Sequence, residues 1–230
     1  MKIITALSAL ALSTPAFGGI LAQINEFHYD NSGSDAGEFV EVVTEANADI
    51  STMLLTLYNG NGGTPYNEIA LSTFTDHGVL GDGLHYYSAF ISGIQNGAPD
   101  GMALSNDLLG LGNGGGSAVI EFLSYEGSFT AVGGVADGMT STDIGVSQSS
   151  DTPVGSSLQR LNFAEGAGSS VPSNAMISYL DDFGGKEGPA PEWAATDGFN
   201  TKGAINAVPA PGALALLGMA AVAATRRRRK

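Results

Sequence analysis

Residues 114–125 read Gly114-Gly115-Gly116-Ser117-Ala118-Val119-Ile120-Glu121-Phe122-Leu123-Ser124-Tyr125. The part after the glycines is rich in branched and aromatic residues, which is typical of a β-strand. The glycine cluster before it is typical of a turn. Side chains alternate between the two faces of a strand, and one alternate set carries no charge. We therefore expect this uncharged set to face the core: Ala118, Ile120, Phe122 and Ser124.

The same arrangement recurs along the chain, in which glycine accounts for 33 of 230 residues, about twice its usual share. Strand-like runs lie between glycine-rich turns at residues 20–29, 38–43, 53–58, 84–91 and 118–125. In the second run we expect Phe39 and a valine to face inward. Helical spacing is weak everywhere. Many short strands joined by Gly, Asn and Asp turns predict an all-β fold, either a sandwich or a barrel.

Two polar stretches interrupt this pattern. Residues 140–157 contain little to bury and predict a long loop or a surface flap. Residues 164–191 predict an exposed excursion before Trp193. With no cysteine in the chain, disulfides, thiolate metal sites and cysteine nucleophiles are excluded, so the fold has to be stabilised by packing.

The N-terminus has the pattern of a signal peptide. Met1-Lys2 is a minimal charged region, residues 3–12 are apolar, and Pro15 follows. Ala16 and Gly18 supply the small residues that precede a cleavage site. We predict cleavage after Gly18, with Ala22 as an alternative, and hence a signal peptide at residues 1–18.

The C-terminus has the pattern of a second targeting segment. Residues 212–224 are uncharged and five basic residues follow shortly after. A helix of 13 residues spans about 20 Å, short of the roughly 30 Å of a bilayer core. The basic cluster would hold the chain end on the cytoplasmic side. The segment therefore predicts a hydrophobic helix suited to transient membrane insertion.

This tail, residues 208–230, resembles the PEP-CTERM sorting signal of Gram-negative bacteria, although Ala210 stands in place of the glutamate of that motif. The resemblance implies processing near Pro209 by an exosortase-type transpeptidase, then release or attachment at the cell surface or extracellular matrix. An ordinary C-terminal membrane anchor is the alternative. Both interpretations place the body of the protein outside the cytoplasm. The residues that carry the resemblance are Val208, Pro209, Pro211, Arg226, Arg227, Arg228 and Arg229.

The body between these ends is strongly acidic. Six of the nine basic residues lie in the terminal segments, so residues 19–207 hold only Arg160, Lys186 and Lys202 against all 23 acids, a net charge of −20. Nucleic-acid affinity rests on Lys and Arg that neutralise phosphates, so nucleic-acid binding by the body is excluded. A surface of this charge attracts divalent cations.

Residues 19–207 are similar to the lamin-tail domain, and to bacterial secreted members in particular. The similarity lies in residues 24–30, 37–41, 55–60, 96–104, 122–127 and 203–206. It implies an immunoglobulin-like β-sandwich, used in bacteria mainly as a surface or accessory module. The 164–191 insertion and Lys202, which stands where a proline is usual, depart from the family pattern.

An enzymatic function would depend on the three histidines, His28, His77 and His85, with acids such as Asp30, Asp76 and Asp82. The sequence brings no nucleophile to either His28 or the His77/His85 pair, and it contains neither a nucleophile-elbow motif nor a metal-binding His-Glu-x-x-His motif. We therefore expect a noncatalytic protein that binds another protein, a polysaccharide or itself. A secreted hydrolase, nuclease-like or esterase-like, is the alternative.

A candidate cation site lies in residues 30–38, where Asp30, Asp35 and Glu38 offer the hard oxygen ligands that calcium prefers. The other interpretation is a hairpin turn built by Asx chemistry. We expect no cofactor, and calcium is the one metal that this loop suggests. The cluster at residues 112–116 lacks the lysine and helix of a phosphate-binding loop and predicts a turn.

Overall fold

A computed structural model describes residues 22–106, 118–161 and 192–206. Eleven β-strands and one 3-10 turn account for the regular structure of these ranges. The strands are β1 (Ala22–His28), β2 (Phe39–Glu45), β3 (Met53–Asn59), β4 (Thr64–Ala70), β5 (Thr75–Val79), β6 (Leu84–Phe90), β7 (Asp100–Asn106), β8 (Ala118–Tyr125), β9 (Thr142–Asp143), β10 (Leu158–Arg160) and β11 (Trp193–Ala195). The 3-10 turn is Leu71–Thr73.

The strands form two sheets. Sheet A has the order β11-β10-β1-β2-β6-β5 and sheet B the order β4-β3-β7-β8-β9. Every pairing is antiparallel except that of β8 with β9. Apolar side chains of both sheets share one core, including Phe27 and Val42 from sheet A and Leu55 and Leu104 from sheet B. The prediction of an all-β sandwich is confirmed.

The strand predictions were right in position, but the face predictions were wrong in two strands. Ile120 and Phe122 were expected to share a face. A bulge between the pairs Leu104–Glu121 and Ser105–Val119 makes Ile120 an extra residue and reverses the alternation. Ile120 therefore joins the main core, whereas Phe122 belongs to a second cluster with Tyr58 and Phe129.

Phe39 was expected to face the core, and it does not. Val40 and Val42 occupy the core in that strand, while Phe39 is buried without belonging to the core cluster. Phe39 has the parity of Glu41, and Glu41 accepts a hydrogen bond from the Gly203 N–H on the outer face of the sheet. The ammonium of Lys202 lies 5.2 Å from the Phe39 ring centroid. We call residues 196–206 the closing segment, because they cover this outer face of sheet A.

Residues 140–157 are mostly irregular, as predicted, but they are not a free flap. Ile144 packs into the core, and Gln148 is buried at the end of β1. The predicted signal peptide, most of the predicted 164–191 excursion and the predicted sorting tail with its hydrophobic helix lie outside the described residues. Within the three described ranges, no helix has the length and apolarity needed to cross a membrane.

Candidate functional site

The first histidine, His28, contacts two polar side chains through its ring nitrogens. His28 is buried at the end of β1, with Nδ1 3.0 Å from Gln148 Oε1 and Nε2 3.0 Å from Asn31 Oδ1. The same Gln148 oxygen accepts hydrogen bonds from the backbone N–H groups of Tyr29 and Asp30. His28 Nδ1 and the Asp30 N–H therefore meet at the same Gln148 oxygen.

The other two histidines lie on β5 and β6. His85 binds Asp76 at 2.6 Å, and this contact lowers the pKa of the Asp76 carboxyl. His77 Nε2 lies 2.8 Å from the hydroxyl of Ser88, a contact that the sequence analysis missed because the two residues belong to different strands. Ser88 is buried, and a Cβ at Gly203 would stand 2.8 Å from His77 Nδ1. The closing segment thus covers the Ser88–His77 pair.

The acidic loop before β2 is a turn held by its own side chains. Asn31 Oδ1 accepts a hydrogen bond from the Ala36 N–H, and Asp35 Oδ1 accepts one from the Asn31 N–H. Glu38 Oε2 instead accepts a hydrogen bond of 2.7 Å from the Gly93 N–H. Burial, then the hydrogen bond and charge of Asp35, raise the pKa of Asp30.

Of the three predicted calcium ligands, Asp30 and Asp35 contact each other, whereas Glu38 accepts its hydrogen bond from the Gly93 N–H. Among the described residues, no group of three acidic or histidine side chains could hold a metal ion. The Asx-turn interpretation describes the observed contacts of this loop.

A pocket of about 440 Å³ opens beside this loop, at one end of sheet B. The β3–β4 turn and the connection before β7 form it, and Asn96 Nδ2 lies 3.3 Å from Asp35 Oδ2. A Cβ at Gly60 would stand 2.0 Å from the Pro99 carbonyl oxygen, so the two walls approach closely only because residue 60 is glycine. The lining residues are Asn59, Gly60, Asn61, Gly62, Gln95, Gly97, Ala98, Pro99 and Asp100.

Asp100 lines this pocket and is 2% exposed. Its Oδ1 accepts a hydrogen bond of 3.0 Å from the Gly60 N–H, whereas its Oδ2 is buried and has no hydrogen-bond partner in the described part of the chain. Burial raises the pKa of this carboxyl, and the N–H groups of Gly60 and Gly97 oppose the shift. No hydrogen bond of ordinary geometry from Gly97 reaches Oδ2.

A second acidic feature lies under the closing segment. Glu26 of β1 and Glu41 of β2 are fully buried. Glu26 binds the hydroxyls of Ser157 and Thr201, the Gln159 amide and the Thr201 N–H. Glu41 accepts hydrogen bonds from Asn25 Nδ2 and the Gly203 N–H. Burial, reinforced by the charge of Glu26, raises the pKa of Glu41 to about 8 against the opposing hydrogen bonds.

Comparisons with family models, with curated proteins and with solved structures found no match to this chain.

Proposed function

We propose that this chain is an exported, noncatalytic binding protein of a bacterial cell surface or extracellular matrix. The observation that best supports this proposal is the distribution of charge. Six of the nine basic residues lie in the two terminal segments, and the body between them holds 23 acids and three bases. Such a distribution suits a secretion signal, a sorting tail and a soluble acidic body.

The finer fold assignment belongs to the same proposal. The two-sheet architecture supports an immunoglobulin-like sandwich of the lamin-tail type, with the resemblance in residues 24–30 and 96–104 as the argument from sequence. Fold alone does not assign a function, so the binding role rests on the charge distribution and on the loops at the end of sheet B.

The export proposal is tested by mass spectrometry of the mature protein isolated from its native cell envelope. We expect an N-terminus at residue 19 and a C-terminus near Pro209, produced by an exosortase-type transpeptidase. An intact Lys230 on the mature protein would support the ordinary membrane anchor instead. Unprocessed protein in the cytoplasm would contradict export altogether.

A secreted hydrolase is the second candidate, and the Ser88–His77 contact of 2.8 Å is the observation that favours it. His77 would serve as the base that activates the Ser88 hydroxyl. Burial of Ser88 and coverage by Gly203 oppose this role, because a substrate has to reach the hydroxyl. Ester hydrolysis by the full-length chain that Ser88→Ala abolishes would establish the hydrolase and overturn the noncatalytic proposal.

A further inference from the structure

We propose that the pocket at the end of sheet B binds a sugar unit of a neutral polysaccharide, with Asp100 and Asn61 as hydrogen-bonding residues. This inference rests on the proposed function, because it supplies the ligand of the exported binding protein. The volume of the pocket, about 440 Å³, falls within the usual range of small-molecule pockets.

The unpartnered oxygen of Asp100 indicates which chemical groups the ligand has to carry. A buried carboxylate oxygen without a donor is unfavourable, and a hydroxyl group from a ligand would satisfy it. The ligand has to offer hydrogen-bond donors at that point. Sugar hydroxyls do so, and they also accept hydrogen bonds from amide groups.

Access to this carboxylate depends on Gly97. A Cβ at residue 97 would stand 3.3 Å from Asp100 Oδ2, and residue 97 itself is exposed at the pocket. Because residue 97 has no side chain, no methyl group adds to the cover over the unpartnered oxygen, which is itself almost fully buried. The φ angle of Gly97 is not in the left-handed region, so its conformation does not require glycine.

The remaining lining selects for an uncharged ligand. The side chains of Asn59, Asn61 and Gln95 carry amides, which both donate and accept hydrogen bonds. The net charge of −20 over residues 19–207 repels anionic polymers. A metal ion is disfavoured because no group of three acidic or histidine ligands exists among the described residues. Hydroxyl groups match the amides and the carboxylate together.

The test is affinity electrophoresis of the full-length chain in gels that contain dextran, laminarin or galactomannan, with anionic alginate as the charge comparison. We expect retardation by at least one neutral polymer and none by alginate. Asp100→Asn and Asn61→Ala each change a hydrogen-bonding group, and Gly97→Ala places a methyl group beside the Asp100 carboxylate, so each should weaken the interaction about tenfold or more.

Two matched variants control for the substitutions themselves. Gly81→Ala introduces the same methyl group at a position where the nearest atom, in the Ile205 side chain, is 3.9 Å away. Asn67→Ala truncates an exposed asparagine of β4 outside the pocket. Both should bind like wild type. Melting temperatures identify variants that fail to fold, and Gly97→Ala then decides the outcome, because it removes no polar group.

Absence of retardation by all three neutral polymers would overturn the inference, and so would equal losses in the pocket and control variants. Calcium binding that Asp100→Asn abolishes, without saccharide binding, would also overturn it and assign the pocket to a cation. The export proposal is tested by a different measurement, the mass of the mature protein and its termini. Failure of the saccharide inference and failure of the export proposal can therefore be told apart.

Discussion

Glu26 and Glu41 lie directly opposite each other on β1 and β2, and both carboxylates are completely buried beneath the closing segment. Their oxygens accept backbone hydrogen bonds from Thr201 and Gly203, residues more than 150 positions away in sequence. Two neighbouring buried acids therefore help to hold the closing segment to the sheet, together with Asn206, whose amide donates to the Asn25 and Arg160 carbonyls.

The first prediction concerns pH. The pKa of Glu41 is raised from 4.5 to about 8 in the folded protein. At Glu41 the folded state then binds more protons than the unfolded state between these values, so the contribution of Glu41 to stability is full below about pH 4.5 and declines as the pH rises toward 8. Glu41→Gln should remove much of this decline, on the order of a few kcal/mol. Urea denaturation at pH 5, 6, 7 and 8 measures it.

The control for this prediction is Glu45→Gln, which removes an acid from the exposed end of the same strand. Its stability should follow the pH dependence of wild type. If Glu41→Gln and wild type lose stability equally between pH 5 and pH 8, Glu41 is ionised throughout and the prediction is wrong.

The second prediction concerns Arg160, which is buried in β10 and bound by Glu121 of β8 across the two sheets. Glu121 also accepts a hydrogen bond from the Ile24 N–H. Glu121→Gln leaves the guanidinium without its counter-charge and should destabilise the fold by about 3–5 kcal/mol. The double variant Glu121→Leu with Arg160→Met should be more stable than Glu121→Gln in chemical denaturation. A double variant that is less stable would show that the charge pair itself is strongly favourable.

The third prediction concerns Tyr29, whose hydroxyl donates to Glu126 at 2.7 Å and accepts a hydrogen bond from the Gln148 N–H at 2.7 Å. Tyr29→Phe leaves that buried N–H without its acceptor and should cost about 1–3 kcal/mol in the free energy of unfolding. Tyr87→Phe, at a core tyrosine on β6, is the comparison and should change stability less. Equal losses would indicate a general effect of removing a hydroxyl group.

The fourth prediction concerns Gly60. Gly60→Ala places a methyl group 2.0 Å from the Pro99 carbonyl oxygen, so the two loops have to move apart. We expect a loss of about 1–3 kcal/mol from this overpacking, together with loss of the pocket. Thermal denaturation beside Gly81→Ala, which has room for its methyl group, measures the first effect. A Gly60→Ala variant as stable as Gly81→Ala would contradict the close approach of the loops.

Sequence patterns located strands well where aromatic and branched residues lie between glycines, as in β3 and β8. They did not identify β4, β5, β7, β9, β10 or β11. β4 contains Pro65 and Glu68 and is largely exposed, so it lacks the apolar alternation of a half-buried strand. β10 and β11 have three residues each, too few for a period to be recognised.

The face predictions failed because a bulge interrupts the alternation in β8 and because parts of both outer faces are covered. The closing segment covers part of sheet A, and the cluster around Phe129 and Ala131 packs against Phe122 on sheet B. All seven residues of β1 are buried, including Glu26 and His28. Alternation cannot distinguish core from surface when both faces of a strand exclude water.

The sequence by itself determined the all-β class, the acidic body and the absence of cysteine chemistry, because these depend on composition and on local periodicity. It also supplied the export pattern at both ends, which remains a prediction. Only the tertiary structure decided that Glu26 and Glu41 share a buried site, that Ser88 meets His77, and that Asp100 lies in a pocket between two loops. Those contacts join residues far apart in the chain, and their positions depend on strand register and bulges, which no local pattern specifies.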